Sequence, residues 1–343
     1  MRISVDAMGG DDAPRAIVEG ALHAARDLKG LERLILVGNR DAIERELGLS
    51  KQPIPACVEI EHASEVVGMG EAPATAIRRK KDSSIARAID LVKEGRADAV
   101  FSAGNTGAAV AAATLKLRTL EGVSRPAIAT VIPTSKEPYV LLDSGANPDS
   151  TPEMLQQYAV MGSIYSREIL GVTSPRVGLL SIGEEEAKGN DTTKKSFALL
   201  ERAQMNFVGN VESRDLFTGQ VDVAVCDGFV GNVVLKTTEA VASMISSWLK
   251  ELFRKTPLRI VGYLLSRGVF KEVRRKTDPS CYGGAPLLGA NGVVVIGHGS
   301  SNPEAAFNGI RVAMEAVSHD VNHLIEEALE KIAAADKVAV VGE

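Results

Sequence analysis

No run of about 18 uncharged apolar residues occurs anywhere in the chain, so no segment is expected to cross a membrane, and the opening MRISVDAMGG lacks the apolar core of a signal peptide. The protein is expected to stay inside the cell. Cysteine is scarce: Cys57, Cys226 and Cys281 stand far apart, with no C-x-x-C spacing and no even count, which excludes a disulfide framework and leaves reduced packing residues. There is no excess of positive charge. A net charge of −5 argues against a nucleic-acid binder, although an average hides local patches. Also missing are a G-x-x-x-x-G-K-[ST] loop, a G-x-S-x-G elbow and an H-E-x-x-H pair, and ATP hydrolysis and serine-hydrolase chemistry lose their support. His319 and His323 share an i, i+4 spacing, but no third ligand accompanies them, so they read as surface or packing histidines rather than a metal site.

What is present is a composition that folds: 45% hydrophobic and 24% charged residues over 343 positions suffice for a large core in one large or two medium domains. The stretch Val221–Val241 organises the rest. An apolar, β-prone run (Val221, Val223, Ala224, Val225) enters a turn with Asp227, Gly228, Gly231 and Asn232, and a helical pattern follows. Glycines let backbone approach a ligand, and the free N–H groups of a helix N-terminus favour an anion. The same spacing is compatible with a turn that needs glycine only for its dihedrals, so a lone G-x-x-G does not decide. Repetition favours the anion site: Gly104, Asn105, Thr106 and Gly107 repeat the pattern between another apolar run and an Ala-rich helix.

Along the chain, strand-like Ile3–Asp6 leads through Ala7, Met8, Gly9, Gly10, Asp11 and Asp12 into a helix opening near Pro14. Leu34–Val37 and the helix Ser83–Lys93 running into Ala97–Phe101 continue a βαβα alternation. That alternation predicts a three-layer αβα arrangement with a mostly parallel, mixed sheet, as one large α/β domain over 1–343 or two lobes around a cleft, with ligands at the loops that follow strands. Ile128–Ile132 and Tyr139–Leu142 are too close for a helical crossover and predict an antiparallel hairpin. It delivers Asp143 and Asn147 to a loop, where they are either site residues or turn formers, before a helix capped by Thr151 and running to about Leu170. Strand Val177–Ile182 ends in Gly183, three glutamates (Glu184, Glu185, Glu186), Lys188 and Gly189, ahead of a helix expected to be capped by Asp191 or Thr192. Strand Val293–Ile296 leads to Gly297, His298 and Gly299, and two helices follow, from Pro303 and from His319.

One segment departs from the alternation. Between Lys250 and Lys276 nine basic residues face only Glu251 and Glu272, a local net of +7 that leaves −12 for the remainder. Met244, Ile245, Trp248, Leu249, Leu252 and Phe253 fall on one helical face, and a second apolar series from Leu258 to Phe270 follows Pro257. Residues 244–276 are expected to form a basic amphipathic helical hairpin that contacts an anionic membrane or an acidic partner, or that buries a dimer interface.

Six motifs, DAMGGD (6–11), SAGNTGA (102–108), LDSGAN (142–147), GEEEAKGN (183–190), DGFVGNVVLK (227–236) and GHGSS (297–301), resemble, in order and over nearly the whole chain, those of the phosphate acyltransferase (PlsX) family of bacterial phospholipid synthesis. The resemblance implies an isocitrate/isopropylmalate dehydrogenase-like and phosphotransacetylase-like fold, and a homodimer. It implies transfer of a long fatty acyl group from acyl carrier protein to inorganic phosphate without a cofactor. The acyl phosphate would go to a membrane glycerol-3-phosphate acyltransferase, and the enzyme would work in the cytoplasm at the inner face of the membrane. It also implies Lys188 and Asn232 as the catalytic pair. With the glycine loops, it makes Asp6, Gly9, Gly10, Asp11, Gly104, Asn105, Thr106, Gly107, Asp143, Asn147, Asp227, Gly228, Gly231 and His298 the candidate phosphate and substrate residues. Leu258, Leu264, Leu265, Arg267, Lys271, Arg274 and Arg275 are the candidate contacts to membrane or carrier protein. Phosphate is already anionic and a thiolate leaves readily, so such an enzyme needs positioning and oxyanion stabilisation more than a strong base. A phosphotransacetylase acting on short acyl-CoA is an alternative with less use for the hairpin, and an NAD-dependent hydroxyacid dehydrogenase is a second that lacks an apparent cluster of metal-binding aspartates. A non-enzymatic membrane scaffold would leave the glycine loops unused.

Overall fold

The computed structural model describes residues 1–277 and 283–341, with side chains described except at 274–277 and 335–341. Strand β1 (Arg2–Asp6) pairs in parallel with β2 (Arg33–Gly38) and with β4 (Ala99–Ser102), and β3 (Val58–His62) adds in parallel beyond β2. On the other side of β4 lie β12 (Val293–Ile296), parallel to it, then β11 (Ala285–Leu288) and β5 (Ala127–Ile128), each antiparallel to its neighbour. The seven strands run β3-β2-β1-β4-β12-β11-β5. After Ala129 the chain enters a second sheet of five, β6-β7-β10-β8-β9, made of β6 (Thr130–Ile132), β7 (Tyr139–Leu142), β8 (Val177–Leu180), β9 (Phe207–Val211) and β10 (Val223–Val225). Only the β6–β7 pair is antiparallel there, which is the expected hairpin. The mixed α/β expectation holds, with the strands divided between two sheets.

Helices cover both sheets, which is why the central strands read as apolar runs without alternation: every residue of β4 and of β7 is buried. On one face of the large sheet, α1 (Arg15–Asp27) packs with α11 (Pro303–Ser318), with α2 (Arg40–Gly48) alongside. On the other face, α3 (Pro73–Arg79), α4 (Ser84–Lys93) and α5 (Thr106–Lys116) bury an Ala- and Ile-rich cluster. The small sheet carries α6 (Pro152–Leu170) and α12 (Val321–Val341) over Tyr158, Met161, Tyr165 and Val223, with Phe197 of α7 (Asp191–Arg202) packed against the same cluster. Thr151 does cap α6, accepting from the Met154 N–H, with Pro152 in the first turn and Gly171 closing the C-terminus at φ 73°. The cap of α7 is Asn190, not Asp191 or Thr192: its side chain accepts from the Thr193 N–H at 2.8 Å, which leaves the Asp191 charge inside the first turn, where the helix dipole favours it.

The basic amphipathic segment is not a two-helix hairpin starting at Met244. Helix α8 runs unbroken over Gly228–Arg254, because nothing between the glycine turn and Lys255 interrupts helical geometry. Thr256 then caps α9 (Pro257–Leu265), accepting from the Arg259 N–H, and a turn at Ser266 leads to α10 (Arg267–Thr277). Phe253, Tyr263 and Phe270, one from each helix, close a triangle with ring centroids 5.1–5.5 Å apart and hold the bends together. Leu258, Leu264 and Leu265 are 81%, 59% and 84% exposed. Arg267 and Lys271 are exposed, whereas the side chains of Arg274 and Arg275, and the whole of Cys281, lie outside those described. Among the described residues no helix is long and apolar enough to cross a membrane.

Candidate functional site

Two sets of loops leave the carboxyl edges of the sheets. In the large sheet β1, β4 and β12 are consecutive parallel neighbours, and their loops interlock. Asp6 is buried at the end of β1 and accepts from the Ser102 hydroxyl at 2.7 Å and the Met8 N–H at 3.3 Å, with burial pushing its carboxyl above the usual range. Asp6 therefore pins the β1 loop to the β4 loop. Gly9 sits against Gly104 so closely that a Cβ on it would lie 2.6 Å from the Gly104 nitrogen, and the Asp11 N–H donates to the Gly299 carbonyl at 2.7 Å. Gly10 also faces Gly299. The α5 terminus is partly covered: Asn105 caps it through the Ala108 N–H, while its amide donates to the carbonyls of Gly68, Met69 and Glu71, and Gly107 packs on Pro73. Thr106 alone of that motif is exposed.

The second set follows β7, β10 and β8, again consecutive and parallel. Asp143, fully buried, accepts N–H bonds from Ile128, Gly145, Ala146 and Asn147 at 2.7–3.1 Å, so its carboxyl shapes the loop, with burial raising its pKa against the pull of those donors. The Asn147 carbonyl takes the Gly228 N–H at 2.8 Å. Asp227 caps α8 through the Val230 N–H at 2.8 Å. A Cβ on Gly231 would overlap the Asp143 carbonyl oxygen. The glycines of this turn thus serve backbone-to-backbone packing, and the face of α8 that remains open presents Asn232, exposed beside Gly145 and with no side-chain hydrogen bond among the described residues. From β8, the loop carries Lys188, whose methylenes lie over Gly183 and whose exposed ammonium has no ion pair among the described residues, although Glu184 of the same loop reaches Arg214 at 3.5 Å. Lys188, on the loop after β8, and Asn232, in the second turn of the helix that follows β10, thus come after hydrogen-bonded neighbouring strands, and the glycine turn expected to end at Asn232 is already the start of α8.

Lys236, the last residue of the DGFVGNVVLK motif, was not singled out as a candidate from the sequence. It lies one turn beyond Asn232 on the same face of α8, pairs with Glu239 at 2.8 Å, and reaches across to His298, whose Nε2 is 3.4 Å away on the loop after β12. This contact joins the carboxyl edges of the two sheets. The i, i+4 spacing of Asn232 and Lys236 was the available signal; the meeting with His298, 62 positions away, had none.

A depression of about 550 Å³ lies elsewhere, on the outer surface of α3, α4 and α5, bounded by Ile77, Arg78, Lys81, Asp82, Arg87, Asp90, Leu115 and Lys116. None of the expected site residues lines it. Arg87 is engaged by Asp82 at 2.7 Å and Lys116 by Asp90 at 2.7 Å, so half its cations are already neutralised. The strand-end loops hold the unspent polar groups and are the better candidate for chemistry.

Residues 1–324 match the family model described as "Fatty acid synthesis protein". The chain is 52% identical over 338 residues, 98% of its own length and 100% of the relative's, to a phosphate acyltransferase of Desulfitobacterium hafniense, and 51% identical over 332 residues, 97% and 96% of the two chains, to one of Pelotomaculum thermopropionicum. Among solved structures it is similar to a phosphotransacetylase from Streptococcus pyogenes (TM-score 0.58, 20% identity, 93% and 94% covered) and a branched-chain phosphotransacylase from Enterococcus faecalis (TM-score 0.56, 17%, 92% and 99%). A 4-hydroxythreonine-4-phosphate dehydrogenase from Klebsiella pneumoniae is similar too (TM-score 0.52, 15%, 92% and 99%). At these identities the structural likeness concerns the fold alone, and it agrees with the mixed α/β architecture expected from the alternation of strands and helices.

Proposed function

The chain belongs to the fatty acid synthesis protein family, with phosphate acyltransferases as full-length relatives, and we propose that it transfers a long fatty acyl group from acyl carrier protein to inorganic phosphate, giving acyl phosphate for phospholipid synthesis. The observation that carries this reading is the arrangement at the carboxyl edge of the small sheet, where the α8 N-terminus, the Asn232 carboxamide and the uncommitted Lys188 ammonium leave from adjacent parallel strands. Phosphate oxygen attacks the thioester carbonyl carbon, the C–O bond forms, and the tetrahedral oxyanion collapses with departure of the thiolate, so no metal or covalent enzyme intermediate enters the balance. Lys188 supplies positive charge to phosphate and oxyanion, and Asn232 donates to the reacting carbonyl. Phe229 and Val233, 67% and 49% exposed beside Asn232, suit an apolar acyl chain.

The exposed apolar and basic surface of α9 and α10 favours a carrier-borne, membrane-directed acyl group over short acyl-CoA, since a small soluble thioester gives such a surface no task. Homodimerisation would use part of the exposed α8 face, and product would pass to a membrane acyltransferase acting on glycerol 3-phosphate. The deciding assay incubates the purified protein with acyl carrier protein thioester and phosphate, and with short acyl-CoA and phosphate. Acyl phosphate from the carrier substrate is the expected product. Comparable or faster turnover of acetyl-CoA would replace this reading with the phosphotransacetylase one.

A further inference from the structure

His298 is committed at one nitrogen. The Ser300 backbone N–H donates to its Nδ1 at 3.2 Å, and the Ser300 hydroxyl lies 2.8 Å from the same atom. A backbone N–H only donates, so Nδ1 is the accepting nitrogen and the neutral ring carries its hydrogen on Nε2. Nε2 is the atom facing Lys236 at 3.4 Å. An ammonium has donors and no lone pair, so this meeting is of two donors and lacks an acceptor between them. Glu239 takes one ammonium hydrogen at 2.8 Å and fixes where Lys236 points. Two N–H groups from opposite sheets therefore converge on one small, solvent-reached space.

We propose that Lys236 and the His298 Nε2–H together seat an oxygen of the incoming phosphate, with Lys236 as a substrate-binding residue of the reaction. This rests on the acyl-transfer reading above and specifies which groups hold its anionic substrate. An anionic oxygen accepts from both donors at once and turns their repulsion into two charge-assisted or strong hydrogen bonds. Asn232 lies four residues away along α8, about 6 Å of rise, which leaves room for phosphate held at Lys236 and a carbonyl held at Asn232. Because the two donors come from different sheets, phosphate bound there also ties the sheets together.

The test uses the 343-residue chain and inorganic phosphate. Titrating phosphate into protein labelled with ¹⁵N-histidine is expected to show the Nε2–H tautomer of His298 at rest and a saturable shift of its resonances. Lys236→Met should raise the phosphate Kd and the KM for phosphate about 10- to 100-fold, the scale of one lost charge-assisted hydrogen bond, while the KM for acyl donor and kcat at saturating phosphate stay within about threefold of wild type. His298→Gln, which keeps an N–H donor, should retain more phosphate affinity than His298→Ala. Glu239→Gln separates binding from mere helix structure, and it should change phosphate affinity less than Lys236→Met does. An unchanged phosphate Kd in folded Lys236→Met, no saturable shift in wild type, or full reproduction of the loss by Glu239→Gln overturns the proposal. If wild type makes no acyl phosphate yet the histidine shift and its Lys236 dependence are present, the seat stands and the assigned reaction fails instead.

Discussion

Helices α6 and α8 follow neighbouring strands of the same sheet, β7 and β10, and treat their apolar residues in opposite ways. Over 19 residues α6 buries Met154, Leu155, Tyr158, Met161, Ile164 and Tyr165, and Gly171 ends it where the core ends. Over 27 residues α8 buries only Gly228 and Gly231, while Met244, Ile245, Trp248, Leu249 and Leu252 are 41–56% exposed. Each of these half-exposed side chains forgoes roughly half of the 1.5–3 kcal/mol that full burial would supply, so the outer half of α8, with α9 and α10, adds little to the stability of the fold. The first helix is frame; the second begins as frame, passes the candidate site and ends as an exposed apolar arm.

If that division is right, substitutions in the frame and in the arm should affect different measurements. The largest effect is expected at Lys188: Lys188→Ala should lower kcat/KM by two to three orders of magnitude, about 3–4 kcal/mol, without loss of fold, whereas a lysine that only decorates the surface would leave turnover near wild type. Next is Gly231→Ala, which puts a methyl group on the Asp143 carbonyl. It should destabilise by about 3 kcal/mol and depress activity with stability, as overpacking at a closed contact does; thermal melting within a degree of wild type would mean the β7 and β10 loops are not locked together. At the arm, Leu264→Glu with Leu265→Glu should weaken binding to anionic liposomes by at least about tenfold while sparing activity on soluble substrate, because the cost falls on interfacial burial of exposed side chains. Equal sedimentation with liposomes before and after the change removes the membrane role. Exchanging Arg267 and Lys271 for glutamate should raise KM for carrier-borne acyl substrate and leave phosphate affinity unchanged if that surface also receives the acidic carrier.

The smallest effects separate the two regions by their ion pairs. Asp222 is almost buried and joined to Arg176 at 2.9 Å at the start of the small sheet, and although burial opposes ionisation, bonds from Arg176 hold its carboxyl below the usual range. A depressed carboxyl contributes stability above its unfolded pKa and loses it as pH falls through the folded value. Asp222→Asn should therefore lower stability at neutral pH, with the gap to wild type closing in acid; a pH-independent gap would mean that packing, not charge, is at stake. In the arm, Glu251→Gln removes an exposed pair with Lys255 at 3.4 Å and should change stability by less than about 0.5 kcal/mol.

The α/β alternation, the β6–β7 hairpin, the Thr151 cap and the loops after β1, β4, β7, β8, β10 and β12 were all legible in the sequence, since each depends on residues near one another in the chain. Asp143 and Asn147 stood undecided between site and turn, and the structure shows four backbone N–H groups converging on the Asp143 carboxyl to shape the loop. Strands β3, β9 and β11 escaped notice because β3 alternates polar with apolar residues at an edge, β9 is broken by Gly209 and Asn210, and β11 carries Pro286 within four residues. The arm was recognised by its charge and apolar face, but its continuity with the site helix was not, because Met244 begins the apolar stripe without beginning the helix.

Sequence by itself determined the strands with strong apolar runs, the turns that follow them, the family motifs and the excess of positive charge from Lys250 to Lys276, because local backbone preference and side-chain period are properties of short windows. Tertiary structure alone decided that the strands divide into two sheets, that Gly9 and Gly231 are spent on loops packing against one another, and that Lys236 meets His298. Those outcomes depend on which elements become neighbours once the core is buried, and a contact between residues 62 positions apart leaves no period in the chain to read.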